Sequence, residues 1–181
     1  MLEVICGPMF SGKTEELIRR ARRMRIAQRR VCLLKHAKDD RFDPVKLVTH
    51  GQSTFEAQPV GRGRDLLLWG DAGQDDWGLV GVDEFQFFDD SAIEALEELR
   101  RRAHVVVAGL DLDSAGRPFG PMPAALALAD RVTKLTAVCM KCGADATRSY
   151  RRPDMDDGKV VQVGAGEAYE ARCLACWRLK P

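Results

Sequence analysis

The segment Gly7-Pro8-Met9-Phe10-Ser11-Gly12-Lys13-Thr14 fits GxxxxGK[ST], and it constrains the fold more tightly than anything else in the chain. Such a loop works only where a strand delivers it and a helix continues from it. Its glycines let the backbone curl so that successive N–H groups face phosphate oxygens. The lysine then reaches the β/γ-phosphates, the hydroxyl of Thr14 is offered to a magnesium ion, and the helix N-terminus adds its dipole. The flanking residues meet the requirement. Leu2–Cys6 is a short apolar run stopped by Gly7-Pro8, which suits a buried strand. From Lys13 onward Leu17, Ala21, Met24 and Gln28 fall on one helical face, with Ile18 beside it.

The rest of the first 138 residues continues the alternation. Residues 31–34, 78–83, 105–110 and 132–138 are further strand candidates. Ser91 and Glu94 have capping-box spacing at the start of a helix over 92–102, where Ile93, Leu96 and Leu99 form one apolar stripe. Residues 64–69 read as a helical turn or more, inside a stretch (49–76) whose pattern is otherwise weak. Strands alternating with helices predict an α/β fold, a mainly parallel sheet flanked by helices. From Cys139 the pattern turns to short polar and β-prone pieces. The expected division is therefore an α/β domain over 1–138 and a small β-rich lobe over 139–181.

Two more groups carry chemistry. Leu79-Val80-Gly81-Val82-Asp83-Glu84 is an apolar strand ending in two carboxylates, and in a parallel sheet the strand C-termini gather at the phosphate-binding edge. Asp83 suits a magnesium-side acid. Glu84 suits either a proton acceptor or a metal ligand, and the residues alone leave that choice open. Four of the six cysteines form two CxxC pairs, Cys139/Cys142 and Cys173/Cys176, separated by the 30 residues 143–172. Two such turns complete a tetrahedral zinc shell, and four thiolates leave no open position, so the expected zinc is structural. Cys6 and Cys32 fall in strand candidates and read as core residues.

Composition narrows the partners. Apolar residues at 45% and charged residues at 30% place the chain among ordinary globular proteins. A formal net charge of +1 supplies no overall pull toward nucleic acid or membrane, and the arginines of residues 19–30 read as a solvated helix face. No apolar run is long enough to span a bilayer, and the first residues lack a secretory pattern, so a soluble, unsecreted protein is expected. His36, His50 and His104 are scattered without ligand spacing; Trp69, Trp77 and Trp177 read as packing residues. A nucleic-acid-dependent ATPase is the competing class, because Asp83-Glu84-Phe85-Gln86 superficially matches a helicase box. Such motors normally use two ATPase lobes, and the first 138 residues are expected to supply only one.

The motifs taken in order, GPMFSGKT, then DEFQFF from Asp83, GLDLDSAGRPFG from Gly109, KLTAVCMKC from Lys134 and EAYEARCLAC from Glu167, resemble the zinc-containing cytosolic thymidine kinases over nearly the whole chain. The resemblance implies transfer of the ATP γ-phosphate to the 5′-hydroxyl of thymidine in the cytoplasm. It also implies a homotetramer, feedback inhibition by thymidine triphosphate, and neither nucleic-acid nor membrane partners. By the same resemblance Glu84 is the general base, Thr14 and Asp83 lie on the magnesium side, and Asp83 and Gln86 join residues 7–14 around ATP. Met9, Phe87, Leu110, Phe119 and Ser149 match nucleoside-pocket positions, Ser149 standing where threonine is usual. Val160, Val161, Gln162, Val163 and Gly164 match a substrate lasso, Tyr169 a tyrosine at the nucleoside, and Asp39 with Arg41 a phosphate-side pair. Ser114-Ala115 departs from the family, which usually has phenylalanine at the first of these positions; an aromatic contact to the base is lost there.

Overall fold

The computed structural model describes residues 1–38, 46–48, 54–70, 77–152 and 168–178. The first strand, β1 (Leu2–Cys6), runs through the phosphate-loop motif into α1 (Lys13–Ile26), followed by β2 (Arg30–His36). A short antiparallel pair, β3 (Lys46–Val48) and β4 (Thr54–Glu56), precedes β5 (Gln58–Val60) and α2 (Leu66–Gly70). The acid strand β6 (Trp77–Asp83), α3 (Ser91–Leu99), β7 (Val105–Gly109), α4 (Met122–Leu128) and β8 (Arg131–Lys134) complete the α/β part.

Six of these strands form one sheet in the order β5-β2-β6-β7-β1-β8, with every neighbouring pair parallel. Both faces are covered, as a parallel sheet requires. Ile5, Leu33, Leu79, Val106 and Ala108 point to one face, where Leu17, Ile18 and Ala21 of α1 meet them. Leu2, Val4, Leu34, Val80, Val82, Val105 and Val107 point to the other, against Ala92, Ala95, Leu96 and Leu99 of α3 and Met122 and Ala125 of α4. The α1 face also buries a carboxylate. Glu3 accepts from Arg20 Nε (3.0 Å) and from Arg131 (3.2 Å), and Arg20 further bonds Thr133 and Glu16. Arg20 is thus a structural cation, unlike Arg19 on the exposed side of the same helix.

Four sequence expectations are corrected. Gln28, expected on the apolar face of the first helix, lies beyond its end at Ile26, exposed and with φ of 57°. The strand over 132–138 is two strands. After Lys134 the Leu135 N–H still bonds the Cys6 carbonyl at 2.8 Å; the chain then leaves the sheet, and β9 (Ala137–Val138) pairs antiparallel with β10 (Asp145–Ala146). The helix expected from 92 to 102 runs from Ser91 to Leu99 and has no capping box. Asp89 is the stronger acceptor: its carboxylate takes the Ser91 N–H (3.0 Å), while Ser91 Oγ accepts from Arg64 N–H (2.9 Å). β7 stops at Gly109 because the Leu110 N–H leaves the ladder for a side-chain acceptor, Gln86 Oε1, at 2.9 Å.

Beyond β10, β11 (Arg148–Arg151) pairs antiparallel with β12 (Tyr169–Arg172), and α5 (Leu174–Arg178) follows. Among the described residues, no helix is long and apolar enough to cross a membrane.

Candidate active site

The Gly7–Thr14 motif runs from the end of β1 into α1, the strand-to-helix setting it demands. Gly12 caps α1 with φ of 81°, a left-handed conformation natural to glycine, and Glu16 N–H returns to the Gly12 carbonyl at 2.9 Å. Within the loop, Lys13 Nζ and Ser11 Oγ both donate to the Pro8 carbonyl, at 2.7 and 2.8 Å. Phe10 also has a positive φ, 64°, and its ring is held outside the loop: it packs on the apolar cluster of Ala137, Cys139, Ala146, Ala171 and Cys176. The Met9 N–H is bonded by Ser149 Oγ at 3.0 Å, across 140 residues of chain. The loop's curl is therefore braced from β11 and from the cysteine cluster.

β7 lies between β1 and β6 in the sheet, yet Thr14 at the start of α1 reaches the acid strand: its hydroxyl donates to Asp83 Oδ2 at 2.8 Å. Asp83 is buried, and its other oxygen accepts the Glu84 N–H at 3.0 Å. Glu84 itself takes φ 52°, ψ 40°. A left-handed glutamate is strained, and such strain persists where surroundings over-determine it. Here the next residues turn directly into a 3₁₀ segment, Phe85–Phe87, and Gln86 Nε2 donates to Glu84 Oε2 at 2.5 Å. Lys35 is also buried here, opposite Asp83 in the β2–β6 register, although the sequence reading did not single it out.

Gln86 joins the carboxylate to the next part of the site, since its Oε1 accepts the Leu110 N–H. Residues 110–120 form a hairpin closed by the Leu112–Pro118 bridge, a Phe119 N–H bond to the Asp111 carbonyl (3.2 Å) and an Asp113 N–H bond to the Arg117 carbonyl (2.9 Å). Phe119 meets Phe87 edge-on, with centroids 5.8 Å apart, and Phe87 lies edge-on to His36 at 6.0 Å. His36 packs on Phe88 as well, and burial lowers its pKa, so this histidine is a neutral wall residue.

The sequence-derived residues thus fall into linked groups: Met9 with Ser149, Thr14 with Asp83, Glu84 with Gln86 and Leu110, and Phe87 with Phe119. Tyr169 opens β12, opposite Arg151 in register, half-buried. Asp39, Arg41, Val160, Val161, Gln162, Val163 and Gly164 lie outside the described residues.

The four cysteines do converge. The Sγ atoms of Cys139, Cys142, Cys173 and Cys176 lie within 4.8 Å of one another. Zinc–sulfur bonds of about 2.3 Å in a tetrahedron require sulfurs about 3.8 Å apart, and Cys142 and Cys173 stand 3.7 Å apart. The turns suit a metal: Gly143 at φ 78° returns its N–H to the Cys139 carbonyl (2.8 Å), and the Cys176 N–H points at Cys173 Sγ (3.5 Å). Backbone N–H groups, that of Cys173 foremost, lower the pKa of the Cys139 thiol, while the neighbouring thiols, Cys142 first, push that of Cys176 up, as expected of four sulfurs gathered in one place. Burial instead pushes Cys6 and Cys32 up to about 11, as befits inert core thiols. These four cysteines form a set that could hold a structural zinc ion.

A thymidine kinase family model matches residues 1–177 of the chain. A curated thymidine kinase of Rhodothermus sp. (strain ITI 518) is 44% identical over 178 residues, covering 98% of this chain and 81% of that protein.

Proposed function

The chain belongs to the thymidine kinase family, and from that premise we propose that it transfers the γ-phosphoryl group of ATP to the 5′-hydroxyl of thymidine, with Glu84 as general base. The observation that carries the mechanism is the link between motif and acid strand: Thr14 bonded to Asp83, with the strained, buried Glu84 next in the chain. A catalytic carboxylate needs a fixed direction, and Gln86 with the left-handed backbone supplies it.

In the proposed step Glu84 accepts the 5′-hydroxyl proton as that oxygen bonds to the γ-phosphorus. The bond from the γ-phosphorus to the bridging oxygen breaks, and ADP leaves. Gly7, Pro8, Met9, Phe10, Ser11, Gly12, Lys13 and Thr14, with Asp83 and Gln86, make up the proposed ATP set. The Lys13 ammonium balances charge on the β/γ-phosphates. Thr14 and Asp83 would hold Mg²⁺, and two oxygen donors 2.8 Å apart suit a hard cation. When bound there it neutralises phosphate charge.

The nucleoside side is proposed from family resemblance together with the packing of Phe87 on Phe119. Met9, Phe87, Leu110, Phe119, Ser149 and Tyr169 line it, and Val160, Val161, Gln162, Val163 and Gly164 cover the base. Asp39 and Arg41 belong to the phosphate side. The division into a P-loop domain (1–138) and a structural-zinc lobe (139–181) is part of the same proposal. So are the homotetramer, the cytoplasmic location and feedback by thymidine triphosphate.

The test is ADP release measured with thymidine, with single-stranded DNA, or with neither. Stimulation by thymidine alone, with thymidine monophosphate as the product, supports the reading. Stimulation by DNA alone would replace it with a nucleic-acid-dependent ATPase.

A further inference from the structure

The hairpin over residues 110–120 is held at both ends. Its base rests on the acid site, through the Leu110 N–H bond to Gln86 and the packing of Phe119 on Phe87. Its tip is folded on Asp113, whose carboxylate accepts the Ala115 and Arg117 N–H groups, both at 2.9 Å, and Arg117 Nε at 3.0 Å. At the tip Gly116 turns left-handed at φ 77°, and the indole of Trp177 lies against it so closely that a Cβ there would stand 2.8 Å from Cη2 of the ring. The Trp177 Nε1–H donates to the Ser114 carbonyl at 3.3 Å. Trp177 is the residue after Cys176, and its own N–H donates to the Cys173 carbonyl at 2.9 Å. The turn that presents two of the four thiols therefore sets where the indole sits.

We propose that Trp177 is a positioning residue that ties the order of the four-cysteine cluster to the hairpin carrying Leu110 and Phe119, and so sets nucleoside affinity without touching the nucleoside. The proposal rests on the assignment of Leu110 and Phe119 to the nucleoside pocket made above. The indole grips the tip by its backbone, at the Ser114 carbonyl and over Gly116. α5 is only five residues long, far below the length at which a helix is stable alone. Its order depends on what holds Cys173 and Cys176, and a bound metal supplies folding energy to such turns. Loss of the metal loosens α5, withdraws the indole and frees the tip, while Gln86 keeps the hairpin's base attached.

The experiment uses the full-length, zinc-loaded protein. Trp177→Ala is expected to raise the KM for thymidine about tenfold, the scale of one hydrogen bond plus one ring contact, with kcat and the KM for ATP within about twofold. Trp177→Phe keeps a ring over Gly116 and loses the N–H bond, so its thymidine KM falls between the two. A thymidine KM within twofold of the parent in Trp177→Ala would overturn the proposal, as would an equal rise in both KM values in Trp177→Phe. A second readout is independent of turnover. In a Trp69→Phe/Trp77→Phe background the remaining indole emission should red-shift when a chelator removes the metal, and recover on adding zinc. Unchanged emission while the thiols become titratable would also overturn it. Absent thymidine phosphorylation by the unaltered protein would count against the functional reading instead, leaving the emission result to judge the metal-to-hairpin link.

Discussion

Ser149→Ala tests how the phosphate loop is braced. Ser149 is buried in β11, and its Oγ accepts the Met9 N–H at 3.0 Å. Removing the hydroxyl leaves that N–H without its acceptor, a loss of about 1–3 kcal/mol for a buried group. Met9 is half-buried, so water recovers part of this, and about 1 kcal/mol is the working figure. The loss weakens binding of a fluorescent ATP analogue about fivefold if the loop relaxes only when empty. It lowers Tm by about 2–4 °C if the loop stays in place with an unsatisfied donor. The nucleotide titration is run without thymidine, which keeps any direct contact of Ser149 with the nucleoside out of the result. Ser149→Thr retains the hydroxyl and should behave like the parent in both assays. Unchanged analogue affinity together with unchanged Tm in Ser149→Ala would refute the brace.

Two further outcomes follow from the cysteine cluster. Because Phe10 of the phosphate loop packs on Ala137, Cys139, Ala146, Ala171 and Cys176, stripping the metal should weaken ATP-analogue binding severalfold as well as nucleoside binding; isothermal titration of the metal-free protein checks both, and an unaltered ATP affinity would show that Phe10 does not depend on the metal. Thiol titration of the folded, metal-free protein should find four reactive cysteines, with Cys6 and Cys32, packed in the sheet core, reacting only on unfolding; six fast thiols would contradict the core assignment.

Features of the fold and site that sit in contiguous residues were legible in the sequence. The GxxxxGK[ST] motif, the strand ending in Asp83 and Glu84 and the two CxxC turns each lie within a few residues, and the apolar runs of β1, α1 and β6 put those elements where the structure has them. The contacts that join these pieces were not legible. Met9 to Ser149 spans 140 residues and Ser114 to Trp177 spans 63, with one residue at each end and no periodicity to mark it. Gln86 resembles an ATP-site residue by motif, but its bonds to Glu84 and Leu110 arise from strand placement. The capping-box reading at Ser91 failed through local competition, since the Asp89 carboxylate two residues earlier takes the N–H that the pattern reserved for a helix cap. The 132–138 strand failed because a continuous β-prone run carries no sign of leaving one sheet for another.

The central claim is that Glu84 takes the proton of the attacking hydroxyl, and Glu84→Gln tests it most directly. Glutamine keeps the side chain's length and leaves an oxygen for the bond from Gln86, so the site's shape is retained. The measurement is single-turnover formation of thymidine monophosphate, with ATP and thymidine affinities determined on the same protein. The account predicts both affinities within a few-fold of the parent and a rate lower by roughly 10²–10⁴. Phosphoryl transfer at the parental rate in Glu84→Gln would contradict it.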